Sequence, residues 1–203
     1  FIKNGKFSMP DREKSYNITI GFSTTKQPIS KLIRWFTGSA CTHTFIAFHD
    51  ASLKIRLVMQ AEAWGFELRP WKRWIKSNIL VAEYEPVALP LEKSLLYISK
   101  LLGANFDFKS AILLGIKYWL LKWFKTRFTL NPNYSPKKLM CSEAVIRFLL
   151  KGKYKSIKNL NPELTSPGEL LGTIMESKEF KEIYLNKDYL VFDRKLKKNI
   201  IIP

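Results

Sequence analysis

The stretch Lys138-Leu139-Met140-Cys141-Ser142-Glu143-Ala144-Val145-Ile146-Arg147-Phe148-Leu149 decides how the rest of the chain is read. Its apolar residues at 141, 144, 145, 148 and 149 repeat with the spacing of one helix face. Pro136 limits how far that helix extends backwards. The helix therefore begins at a cysteine. Unpaired backbone N–H groups and the positive end of the helix dipole favour thiolate at such a position, and thiolate is the form that attacks a carbonyl carbon. The same pattern also suits a core thiol, because free cysteine is among the most buried residue types. What the preceding chain brings to Cys141 decides between the two.

The 203 residues are enough for one domain with a real core, and 46% hydrophobic with 25% charged residues is ordinary for a globular chain. The charge balance is not ordinary. Thirty-four Lys and Arg against 17 Asp and Glu give +17, which favours a polyanionic neighbour such as an anionic membrane face, an acidic cell-wall polymer or nucleic acid. Two cysteines, Cys41 and Cys141, cannot make a disulfide framework; free thiols are favoured, with a single Cys41–Cys141 bridge as the alternative. The opening Phe1-Ile2-Lys3-Asn4-Gly5-Lys6 lacks the apolar run of a cleavable signal peptide. The most apolar segment, 106–128, is interrupted by Asp107, Lys109, Lys117, Lys122, Lys125 and Arg127, so it reads as a buried or interfacial helix rather than a membrane span.

Along the chain, residues 1–16 read as a polar arm, 17–178 as the main domain and 179–203 as a strand-like extension packed on it. Strands are expected at 17–22, 42–50, 54–61, 66–69 and 79–84, with a short helix over 29–36. The turn at Asp50-Ala51-Ser52 makes the second and third strands a hairpin. After Pro90 the pattern becomes helical, over 91–102, 108–124 and 141–150. A further helix opens at Ser166-Pro167, with Ser166 as N-cap and Pro167 in the first turn. Tyr189–Phe192 and Asn199–Ile202 are strand-like. The sum is an α+β domain, a mainly antiparallel sheet with helices packed against it.

A cysteine nucleophile needs a base, and a third group to fix the base's tautomer. The two histidines, His43 and His49, are six residues apart on one strand and so about 20 Å apart. They cannot share a site. His43 opens its strand just after Gly38-Ser39-Ala40 and is the preferred base; His49 sits by the turn. Glu62 ends the partner strand, whose antiparallel return brings it beside His43, and it is the preferred orienting group.

Five pieces in order then resemble the circularly permuted NlpC/P60 cysteine hydrolases, the YiiX/YaeF-like branch. The first is Gly21-Phe22 with Ile29 to Ser39 and Thr42-His43-Thr44-Phe45-Ile46-Ala47-Phe48. Gln60-Ala61-Glu62-Ala63 is similar to the family's acidic strand end, and Leu102-Gly103-Ala104-Asn105-Phe106-Asp107-Phe108 to its Gly-x-x-Tyr-Asp segment. Leu139 to Val145 resembles its nucleophile motif, and Thr165 to Leu170 its Thr-Pro-x-Asp-Leu element. The resemblance spans about residues 17–172. It implies a papain-like fold in permuted order, with Cys141 as nucleophile, His43 as general base and then acid, and Glu62 orienting His43. Phe106 stands where the family often carries Tyr, and Met140 replaces the aromatic before the cysteine.

No cofactor is expected. Cys41-Thr42-His43 offers two metal ligands with no second pair to complete a site, and neither a phosphate-binding loop nor a G-x-S-x-G elbow is present. Basic and aromatic residues interleave at Trp71-Lys72-Arg73-Trp74, a pattern also found on nucleic-acid and lipid-headgroup surfaces, although nucleic acid is not the favoured partner. The expected activity is thiol hydrolysis of an amide, foremost in a cell-wall peptide. The alternatives are a lipid acyl hydrolase or acyltransferase of the same fold, and a catalytically silent basic virion, envelope or nucleic-acid-binding protein.

Overall fold

Six apolar, β-branched and aromatic runs carry the architecture. A computed structural model of the chain describes residues 18–26, 39–87, 91–124 and 138–188, with short pieces at 2–3, 6–7, 30–31 and 34. The strands are β1 (Thr19–Thr24), β2 (His43–Asp50), β3 (Ile55–Glu62), β4 (Gly65–Pro70), β5 (Ile79–Pro86) and β6 (Phe180–Leu185). They form one antiparallel sheet in the order β6-β5-β1-β2-β3-β4. The helices are α1 (Trp71–Trp74), α2 (Glu92–Ser99), α3 (Phe108–Phe124), α4 (Cys141–Lys151) and α5 (Pro167–Glu176).

Alternation along β2 and β3 divides their side chains between two cores. Ile46, Phe48, Leu57 and Met59 join the main core with Ala144, Val145, Phe148 and Leu149 of α4. Phe45, Ala47 and Val58 join Trp74 of α1 in a smaller cluster. Covered on both faces, the middle of β2 is buried at every position, which is why its sequence lacks the polar alternation of a one-sided strand. Gly21, paired with Phe45, is needed for this packing: a Cβ there would lie 1.9 Å from Phe45 Cζ, inside the aromatic ring.

The β2–β3 hairpin closes as its sequence dictates. Asp50 Oδ1 accepts the N–H groups of Ser52 and Leu53, each at 2.9 Å, and Lys54 takes the left-handed conformation at φ 52°. At the other end of β3 the chain turns through Gly65, whose φ of +117° and close approach to the Ala104 carbonyl exclude a side chain. Phe66 N–H donates to that carbonyl at 2.8 Å, and Gly103 N–H returns a bond to Phe66 O at 2.8 Å. A two-residue parallel bridge then joins Asn105–Phe106 to Lys138–Leu139, so the segment before α3 lies beside the segment before α4.

Helix α5 starts as predicted, with Ser166 Oγ accepting Glu169 N–H at 3.2 Å and Glu169 returning to Ser166 N–H at 2.9 Å. Strand β6 falls inside the 179–203 extension expected to be strand-like, but ahead of the positions 189–192 and 199–202 at which its strands are expected. Phe180 is the one buried residue along it, so this edge strand shows almost no apolar alternation, and pairing with β5 is what orders it. The expected strands at 189–192 and 199–202, and most of the helix over 29–36, lie outside the described residues.

Candidate active site

Cys141 opens α4 and His43 opens β2. The N-cap is Met140, in extended conformation at φ −93° and ψ 162°, and its N–H donates to Glu143 Oε2 at 3.1 Å. Cys141 is partly exposed, whereas Cys41 is buried, and both thiols are free. Burial alone pushes the Cys141 thiol up. The hydrogen bond to His43, its positive charge, and the backbone N–H groups of Thr44 and Ser142 together outweigh that, so the thiol ionises below its ordinary range. His43 answers in the opposite direction. Burial pulls it down, but the hydrogen bond and charge of Cys141, the charge of Glu62 and the hydrogen bond of Gln60 hold it above 6.5. Both directions favour the thiolate–imidazolium pair.

The group hydrogen-bonded to the far side of His43 is Gln60. His43 Nε2 and Gln60 Oε1 are 3.0 Å apart, and Trp74 Nε1–H donates to the same oxygen at 2.8 Å. Gln60 Nε2 donates to Glu67 Oε1 at 3.2 Å. Indole N–H is donor only and carboxylate acceptor only, so the amide can point just one way, with its oxygen toward His43. His43 Nε2 therefore carries the hydrogen, leaving Nδ1 as the basic nitrogen. Arg69 anchors the outer end, 2.6 Å from Glu67 and 3.4 Å from Glu62.

Glu62 thus stands near His43, as the hairpin geometry requires, but acts on it through charge, with Arg69 as its ion-pair partner. Gln60 is harder than Glu62 to single out from the sequence, because a carboxylate is the more obvious orienting group. The signal was a polar residue inside Leu57-Val58-Met59-Gln60-Ala61, 1% exposed and two residues from Glu62 on the same side of the strand. Its partner Trp74 comes from α1, the segment whose interleaved basic and aromatic residues suggest a nucleic-acid or lipid-headgroup surface; Trp74 is instead fully buried.

Behind the cysteine lies a buried polar group. Glu143, 2% exposed, pairs with Arg147 one turn on. Burial pushes its carboxyl up to about 7 against the pull of Arg147 and Met140 N–H, and the charges of Glu163 and Asp107 add to the rise. Asp107 caps α3, accepting Ser110 N–H at 3.1 Å and the Ser110 hydroxyl at 2.7 Å. Phe106 packs edge-on against Phe108, with ring centroids 4.9 Å apart, and Met140 is buried. His49 lies at the far end of β2, where it lines a cleft of ≈ 300 Å³ with Thr19, Arg56, Glu83, Glu85 and Ile183.

Comparison with known proteins gives a fold relation. No family model and no curated protein sequence matches the chain. Among solved structures it is similar to the crystal structure of the metalloprotein YiiX from Escherichia coli O157:H7, described as DUF1105. The TM-score is 0.53 at 17% identity, over 84% of this chain and 97% of that one. The described residues gather no group of three His, Cys, Asp or Glu side chains able to hold a metal ion, and His43 is already engaged by Gln60 and Cys141.

Proposed function

We propose that the chain is a cysteine hydrolase of the permuted NlpC/P60, papain-like kind, working by acyl transfer through Cys141. The observation that carries this is the line Cys141–His43–Gln60, with Gln60 itself held by Trp74 and Glu67. In it the thiolate attacks a carbonyl carbon, and the electron pair of the C=O bond moves to oxygen. In this reading the backbone N–H groups at the start of α4 serve as the oxyanion donors, a contribution often worth ~3 kcal/mol. The tetrahedral species collapses to a thioester as the imidazolium gives its proton to the leaving amine. Water then attacks the thioester with His43 as base, and carboxylic acid leaves Cys141 regenerated.

The reading favours an amide, foremost in a cell-wall peptide. The test is a panel of muropeptides and acyl esters hydrolysed by wild type, Cys141→Ser and His43→Ala. Both substitutions abolish turnover if the reading holds. Hydrolysis that survives Cys141→Ser removes the nucleophile from the proposal, and with it the mechanism.

A further inference from the structure

Helix α3 leaves an apolar stripe uncovered. Phe108, Ile112 and Ile116 are 57%, 63% and 43% exposed, and they stand at i, i+4 and i+8 on one side of the helix. Leu102 is 40% exposed and Trp64, at the β3–β4 turn, is 90% exposed. These residues share one region of the molecule. The Trp64 turn is bonded to the Gly103–Ala104 turn through Phe66, Phe106 stacks edge-on against Phe108, and the Asn105–Phe106 bridge continues into α3. Single exposed apolar residues need no explanation, but a contiguous run of this length does.

Along α3 and the segments leading into it, the exposed charges among the described residues are lysines, and Glu62 and Glu67 beside the Trp64 turn are paired with Arg69. Lys109 lies within helical reach of Ile112 and Ile116, and Lys138, opposite Asn105 in the bridge, is exposed, as are Lys109 and Lys100. From Lys93 to Met140 the sequence has a single acidic residue, Asp107, which is buried. No described helix is long and apolar enough to cross a membrane, and α3, with Lys109 beside its stripe, has the character of a helix that lies in an interface.

We infer that this face docks on an anionic lipid bilayer, with Phe108, Ile112, Ile116 and Trp64 entering the headgroup boundary and the lysines on its phosphates. An apolar stripe bordered by uncompensated lysine matches such a surface in both respects; a protein groove would leave the lysines without partners, and nucleic acid would leave the isoleucines in water. The face reaches the candidate site. The Asn105–Phe106 bridge pairs with Lys138–Leu139, and Asp107 N–H donates to Leu139 O at 3.3 Å, two residues before Cys141. Docking therefore sets the mouth of the site at the lipid–water boundary. That last consequence rests on the hydrolase reading; the docking does not.

The test is cosedimentation of the full chain with vesicles of phosphatidylcholine alone or mixed with phosphatidylserine. Binding is expected to the mixed vesicles, to weaken with salt, and to fall about tenfold or more in Ile112→Glu and in Phe108→Ser. Ile183→Glu, an equally exposed change on the opposite edge of the sheet, leaves binding unchanged, and circular dichroism melts confirm that each variant folds. Cys141→Ser binds vesicles like wild type, which separates docking from catalysis. Equal binding to neutral and mixed vesicles, no binding, or binding indifferent to Ile112→Glu overturns the inference. So does a dimer that Ile112→Glu converts to monomer, because the stripe is then covered by a second copy.

Discussion

Replacing Gln60 by Leu separates the two candidates for the group that orients His43. The substitution keeps the volume of a buried side chain but removes the oxygen that His43 Nε2 and Trp74 Nε1 share. Trp74 is fully buried, so its N–H loses its partner without gaining water. An unsatisfied buried donor costs about 1–3 kcal/mol. For a domain of this size that lowers Tm by about 2–12 °C. The effect on the thiol is a different quantity. His43 Nε2–H donates to Gln60 whether or not the ring is charged, and the bond to the charged ring is worth about 1–1.5 kcal/mol more than the neutral one, so its loss should cut the thiolate fraction about 5- to 13-fold. The assay is the second-order rate of iodoacetamide alkylation near pH 6 in a Cys41→Ser background, read beside a thermal melt. Glu62→Gln is the companion variant. Glu62 is a quarter exposed and paired with Arg69, so its charge is worth about 0.2–1 kcal/mol to His43 and fades in salt. A Glu62→Gln rate as low as that of Gln60→Leu would return the orienting role to Glu62 and refute the argument from hydrogen bonding.

Four further outcomes follow from the structure. The lowered Cys141 and raised His43 predict an alkylation profile with a plateau that begins below the ordinary thiol range, and His43→Ala should collapse it to a single titration at higher pH. For His43 the folded value is raised, so its contribution is full below 6.5 and lost as pH climbs from there through the raised folded value, and urea denaturation should find His43→Ala least costly in alkali. Glu143, raised from 4.5 to about 7, binds more protons folded than unfolded between those values, so stability falls as pH rises through that window by about 3 kcal/mol; Glu143→Gln should flatten the slope of urea midpoints against pH. Gly65→Ala, at φ +117° with Ala104 O 2.7 Å from the new Cβ, should cost about 1–3 kcal/mol in chemical denaturation, whereas Gly172→Ala, inside α5 and facing open space, should gain about 0.5–1 kcal/mol.

Local features carried a large part of this reading. The helix that begins at Cys141 was legible because apolar spacing survives in a single element. The β2–β3 hairpin was legible because Asp50 and the left-handed Lys54 make a turn out of adjacent residues, and an antiparallel return then places Glu62 near His43 without further information. Ser166 and Glu169 announce α5 in the same local way.

What the tertiary structure decided depends on residues far apart in sequence. Gln60 holds His43 only because Trp74 of α1 and Glu67 of β4 fix its amide from two sides, and no spacing within the strand shows that. Strand β6 exists through its ladder to β5, since its own residues bury little. The rise of Glu143 to about 7 comes from desolvation beneath α4, whereas in the sequence it is an ordinary first-turn glutamate. The thiol shows the division most plainly. Helix position alone leaves Cys141 either a nucleophile or a core residue; packing α4 against the start of β2 places an imidazole and the N–H of Thr44 on its sulfur, and those contacts overcome the cost of burying a charge.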